Sequence, residues 1–162
     1  MKKKLAYIAF VRMPTEKAHG IQIMKMCEAF SLHELDVELV IPKRKKLIKV
    51  SVFVYYSVKK LFRVTQLPVV DLISRSKKFG KISYILTFLQ FIFLAKIHIF
   101  FKKSNYIYTR DEWVGFFLKN YFLELHRISE NVRFFHKRAW KKAKKNICFN
   151  TANEGRSYKI WG

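Results

Sequence analysis

The first 42 residues restrict the fold more than any other part of this chain. A hydrophobic run, Leu5-Ala6-Tyr7-Ile8-Ala9-Phe10-Val11, gives way to the loop Arg12–Gly20. A helical pattern then spans Ile21 to about His33, and a second run, Val37-Glu38-Leu39-Val40-Ile41, stops at Pro42. The first run does not alternate apolar and polar side chains. A strand covered on both faces needs no polar side, so the run suits the interior of a parallel sheet. The helix follows from spacing: Ile23, Met26, Cys27 and Phe30 stand at i, i+3, i+4 and i+7 and make one apolar stripe. Strand, loop, helix and strand in this order predict an α/β fold with a parallel sheet, its ligand loop just after the first strand.

Gly20 lies where that loop meets the helix. A glycine there lets a ligand come close to the backbone, and the free N–H groups of a first helical turn attract anions. The alternative is that Gly20 only eases a turn. The spacing matches neither G-x-G-x-x-G nor a P-loop, so the two readings stay open at this point.

A length of 162 residues suits one domain with a real core. Cys27 falls on the apolar stripe and Cys148 in a predicted strand, the pattern of two buried free thiols in a reducing cytoplasm. Zinc-ligand spacing is absent from the sequence. The formal net charge is +22, and basic runs recur at Lys43-Arg44-Lys45-Lys46, Lys59-Lys60, Lys77-Lys78, Lys102-Lys103 and 137–145. Such a field attracts an anionic membrane surface or a nucleic acid, unless the lysines merely solvate the surface. No RRM, KH or zinc-finger signature favours nucleic acid. Lys2-Lys3-Lys4 before a short apolar run has the look of a signal peptide, but no small-residue cleavage site follows, and a strand fits better.

Residues 43–60 read as a basic loop with a short helix near Val52–Tyr56, and Phe62–Leu67 as a third strand stopped by Pro68. Residues 69–76 read as a loop. Residues 82–101 form a run of about three-quarters apolar composition, long enough to cross a bilayer. Gln90, Lys96 and His98 are costly at membrane depth. Three readings follow: a long, mostly buried helix, an interfacial helix, or a span.

A short strand, 105–109, ends in Arg110-Asp111. In a parallel sheet the carboxyl ends of the strands line the ligand crevice, so both are candidates for contacting a ligand. Asp111 also stands where it can cap the following helix, Glu112–Lys119. Tyr121–His126 is a fifth strand. Its period of two puts Glu124 and His126 on one face, where a carboxylate orients an imidazole and raises its pKa. Residues 131–145 read as a basic amphipathic helix carrying Val132, Phe135, Ala139 and Trp140, 146–150 as a sixth strand, and 151–161 as a last helix.

The stretch from Arg12-Met13-Pro14-Thr15-Glu16-Lys17-Ala18-His19-Gly20-Ile21-Gln22 through Phe30, with Val37–Pro42, resembles the opening of bacterial family 4 glycosyltransferases. The likeness is dense over roughly 40 residues and weaker beyond them. It departs at His33-Glu34-Leu35-Asp36, where the family usually has Gly-His. Tyr108-Thr109-Arg110-Asp111 is similar to the family's Tyr-x-Arg-Asp/Asn, and Glu124-Leu125-His126 to its Glu-x-His. Arg127-Ile128-Ser129-Glu130 departs from the usual continuation.

The resemblance implies one Rossmann-like domain over 1–162, half of a GT-B fold, with a sheet of about six parallel strands in the order 3-2-1-4-5-6 flanked by helices. It implies a sugar moved from a nucleotide-sugar donor to an acceptor hydroxyl, for cell-surface glycan or glycolipid synthesis, with neither metal nor other cofactor. In that scheme His126, supported by Glu124, holds donor and acceptor, while Gly20 and His19 face the donor phosphates. Arg12, Glu16, Lys17, Arg110 and Asp111 contact the acceptor. A whole enzyme needs a second domain with a Glu-x7-Glu motif. None occurs up to Gly162, so the expected partner is a missing C-terminal GT-B domain, and the chain alone is expected to be inactive or nearly so. The expected location is cytoplasmic, peripheral on the inner face of the membrane. Two other classes remain open: a non-catalytic basic module on an anionic membrane or a partner chain, and a membrane protein spanning at 82–101.

Overall fold

A computed structural model describes residues 2–45, 48–72, 80–125, 134–149 and 158–161. The protein is α/β, with six parallel strands flanked by helices in the Rossmann-like manner. The chain divides into two compact units, Met1–Asn105 and Tyr106–Gly162.

The first unit carries β1 (Lys4–Ile8), α1 (Ala18–Leu32), β2 (Asp36–Lys43), α2 (Val52–Tyr55), β3 (Arg63–Pro68) and α3 (Gly80–Lys102). Its strands lie in the order β3-β2-β1, all parallel, with Ile8 opposite Val40 and Val40 opposite Thr65. The unbroken apolar runs are buried as expected: Tyr7, Ile8, Leu39, Val40 and Ile41 have essentially no exposure. From α1, Ile23, Met24 and Cys27 join this core. From α3 come Phe88, Phe91, Ile92 and Ala95, and Phe10 packs its ring against Phe88 and Phe91 at 5.1 and 5.5 Å.

Two boundaries and one burial differ from the reading of the sequence. Helix α1 opens at Ala18, so Gly20 sits inside its first turn. Strand β2 runs through Pro42. Pairing of β1 with β2 ends at Ile8↔Val40, so at Pro42 only β3 is alongside, and the missing N–H costs the ladder little there. Helix α3 is not mostly buried. Its inner face is covered, while Ile82, Ile85, Leu89, Phe93 and Phe100 on the other face are exposed.

A charged side chain stands inside the first unit. Glu38 of β2 accepts a 2.5 Å hydrogen bond from Thr65 Oγ1, and its Oε1 lies 3.0 Å from His98 Nε2 of α3. Burial alone pushes this carboxyl up. The Thr65 bond and the His98 charge, with Arg63 behind them, outweigh burial and hold it below its ordinary value.

The second unit carries β4 (Tyr106–Thr109), α4 (Glu112–Phe117), β5 (Tyr121–Leu125), α5 (Phe134–Lys142), β6 (Ala143–Phe149) and β7 (Tyr158–Trp161). The order is β4-β5-β6-β7, with Tyr108 opposite Phe122 and Glu124 opposite Ile147. Strand β7 runs antiparallel to β6, Asn146 facing Trp161. Two expectations are corrected here. The helix expected to reach residue 145 ends at Lys142, and Ala143 already pairs with Tyr121. The helix expected over 151–161 is a strand at Tyr158–Trp161, a stretch of aromatic and β-branched residues that suits a pleated surface. Residues 151–157 lie outside the described residues.

Helices α4 and α5 are tied by polar side chains. Glu112 accepts from Trp140 Nε1 at 2.8 Å through Oε1, and its Oε2 lies 2.5 Å from His136 Nδ1. Ala139 is buried in the same contact.

Candidate functional site

The loop after β1 is shaped from its middle. Met13, Pro14 and Thr15 are buried, and the Met13–Pro14 peptide is cis. Tyr56, at the end of α2, reaches in with its hydroxyl. Thr15 N donates to that oxygen at 2.7 Å, and the hydroxyl donates back to Thr15 O at 2.8 Å. Burial pushes the phenol's pKa up, so it remains a donor at neutral pH. The same hydroxyl lies against the backbone of Gly20. A Cβ on Gly20 would collide with it, and would stand 2.8 Å from Thr15 Cγ2. The glycine is therefore demanded by a close approach, and the partner seen making it is Tyr56.

Around this clamp the charged candidates are arranged outward. Glu16 and Lys17 are exposed, and His19 is half-buried. Arg12 is half-buried, and its Nε is sealed from solvent with no hydrogen-bond partner. Among the described residues no ion pair joins Glu16 to Arg12 or to Lys17. Lys17 is the N-cap of α1 but provides no side-chain cap, and the first turn carries no acid. An uncapped helix start and a guanidinium N–H without an acceptor, one loop apart, favour an anion.

In the second unit the candidates sit at the ends of β4 and β5. Thr109 is fully buried, and its Oγ1 accepts from Asp111 N at 3.1 Å. Asp111 is the N-cap of α4, its Oδ1 accepting from Trp113 N at 2.9 Å and Val114 N at 3.4 Å. Burial raises the Asp111 pKa against these two backbone bonds. Arg110 is half-buried beside it. Glu124 is buried on β5 and accepts from the Tyr108 hydroxyl at 3.0 Å. His126 and the acceptor-loop positions 127–130 lie outside the described residues, so the Glu124–His126 pair has no geometry here.

Compared with known protein families and with curated proteins, the chain matches none. The site therefore rests on its own chemistry. One contributor escapes the sequence reading: Tyr56, at the end of a short helix in a basic loop. Only its tertiary contacts mark it, though a glycine buried in a first helical turn does ask what approaches it. Tyr108 is part of the Tyr-x-Arg-Asp pattern, but its bond to Glu124 is a tertiary contact. Among the described residues, no group of three His, Cys, Asp or Glu side chains is gathered as a metal would require.

Proposed function

We propose that this chain is the acceptor-side half of a GT-B sugar transferase of the family 4 type, working with a nucleotide-sugar domain. The observation that carries the reading is Arg12. Its Nε is sealed without an acceptor in the loop that joins the carboxyl end of a parallel strand to an uncapped, acid-free helix start. That arrangement suits a phosphate or another anionic group, and the resemblance over Arg12–Pro42 names the chemistry that would bring one.

Sugar transfer passes through an oxocarbenium-like state while a nucleoside diphosphate departs. The developing negative charge needs N–H groups and cations aimed at it. In this reading Arg12, which the resemblance alone sets at the acceptor, joins the first turn of α1, His19 included, in supplying part of that field. Lys17 and Glu16, exposed on the same loop, contact the acceptor. Glu124, held by Tyr108, orients His126.

The test is reconstitution. The chain is co-expressed with a C-terminal domain carrying Glu-x7-Glu, and transfer of labelled sugar to membrane extracts is measured. Arg12→Ala is expected to lower the rate by about 10²-fold, the usual loss for one stabilising donor, with partial recovery in Arg12→Lys. His126→Ala is expected to fall similarly. If a reconstituted enzyme works and both alanine variants keep full activity, the assigned roles are wrong. If no C-terminal half restores transfer, the proposal fails as a whole.

A further inference from the structure

We propose that the outer face of α3 is a docking strip for an anionic lipid bilayer, on which the helix lies in the plane of the surface. The inference stands apart from the sugar-transfer reading and does not need it.

Helix α3 is unusual. From Gly80 to Lys102 it is apolar almost all round, a composition that normally means burial on every side. Here one face only is covered. Ile82, Ile85, Leu89, Phe93 and Phe100 recur at intervals of three, four and seven and form one exposed stripe. Phe93 is 65% exposed, Phe100 78% and Phe101 76%. Single exposed apolar residues are ordinary on a protein surface, but a strip along about five turns is an interaction face.

Charge selects the occupant. No acidic residue occurs between Asp71 and Asp111, while Lys81, Lys96, Lys102 and Lys103 are exposed along and at the ends of the strip. A second copy would bring another +22 against the first, so self-association through this face is opposed by repulsion. An anionic lipid surface is complementary on both counts: headgroups meet the lysines, and acyl chains receive the phenylalanines.

The opposite face decides the posture. Phe88 and Phe91 pack on Phe10, Gln90 Oε1 accepts from Val70 N at 3.1 Å, and His98 Nε2 lies 3.0 Å from Glu38 Oε1 of β2. Crossing a bilayer would strip all of these from the helix, although 23 residues are enough to span one. Lying flat keeps them.

The test is flotation with phosphatidylcholine vesicles, with and without phosphatidylglycerol. The full chain is expected to float with the anionic vesicles at about 0.1 M salt and to be released at about 1 M. The triple variant Phe93→Ser/Phe100→Ser/Phe101→Ser is expected to bind at least about tenfold more weakly, with its circular dichroism unchanged. Should that variant misfold, an environment-sensitive fluorophore on Ile97→Cys serves instead: a blue shift on anionic vesicles supports the proposal. The proposal is overturned if the wild type ignores anionic vesicles, if the folded triple variant floats as well as wild type, or if the fluorophore does not shift. Carbonate-resistant insertion would replace it with a span. A dimer in sedimentation that the triple variant dissolves would replace it with a second copy.

Discussion

The two units solve one packing problem in the same way and use the solution differently. In each, a helical glycine lies against a tyrosine hydroxyl: Gly20 against Tyr56, Gly115 against Tyr121. Neither glycine has a positive φ, so neither is required by its backbone conformation. Both are required because a Cβ would occupy the space of a phenol. The hydroxyls then part ways. Tyr56 binds both the N–H and the carbonyl of Thr15 and so fixes the loop that carries Arg12. Tyr121 donates once, to Ala139 O at 2.6 Å, and ties β5 to α5. A buried helical glycine is thus an invitation to ask what approaches it, and in both units the answer seen is the protein itself.

Substitution should separate the two contacts. Gly20→Ala is expected to destabilise by about 1–3 kcal/mol, the usual cost of overpacking, and Gly115→Ala by a similar or smaller amount. Tyr56→Phe is expected to cost about 2 kcal/mol, because it strands a buried N–H and a carbonyl together, and Tyr121→Phe about 1 kcal/mol. In Gly20→Ala/Tyr56→Phe the loss should fall short of the sum, since the hydroxyl that clashes is gone. Urea midpoints of the singles and doubles give these values. Strict additivity in the first unit would mean that the loop, not the phenol, absorbs the new methyl group.

The contrast also shows what could be read in advance. The parallel strands were legible because burial on both faces leaves near-continuous apolar runs, as at Leu5–Ile8 and at Val37–Ile41, interrupted only by Glu38. The carboxyl-terminal part was harder. Lys144 and Lys145 sit in β6, yet in sequence they continue the basic face of α5. Charge on a short strand hides its period, and helix and strand then compete on few residues. At the candidate site, the capping role of Asp111 is legible from position alone, whereas Arg12 enters only through the resemblance. The Tyr56 clamp was not, because it joins residues 41 apart and depends on α2 folding back over the loop.

Titration distinguishes the units by sign. Glu38 in the first unit is held below its ordinary pKa, so its contribution is present above the unfolded value of 4.5 and is lost as pH falls through the folded one. Asp111 in the second is raised, so its contribution is present below the unfolded value of 3.8 and is lost as pH rises through the folded one. Acidification from neutrality should therefore weaken the first unit through Glu38 while favouring the second through Asp111. Glu38→Gln is expected to flatten the acid loss, and Asp111→Asn to remove the opposing gain. Urea midpoints across about pH 3 to 6 would show it. Parallel curves for wild type and Glu38→Gln would mean that the Thr65–Glu38–His98 cluster does not govern acid stability.

The smallest difference lies in two turns. Helix α1 ends with Glu34 N donating to Ser31 O at 3.2 Å and Leu35 N to Phe30 O at 3.3 Å, which puts Glu34 at φ 63. This closure favours glycine, the residue that the resembling family places near this turn. In the second unit Asn120 holds the comparable left-handed position, φ 55, before β5. Asparagine adopts that conformation at less cost than glutamate. Glu34→Gly should therefore raise stability by about 0.5–1 kcal/mol, the relief of the left-handed side chain less the extra freedom glycine adds to the unfolded chain. Asn120→Gly should change it by only a few tenths of a kcal/mol. Thermal midpoints of the two variants decide the matter: a fall in Glu34→Gly would mean that the glutamate side chain holds this turn in some way that outweighs its backbone strain.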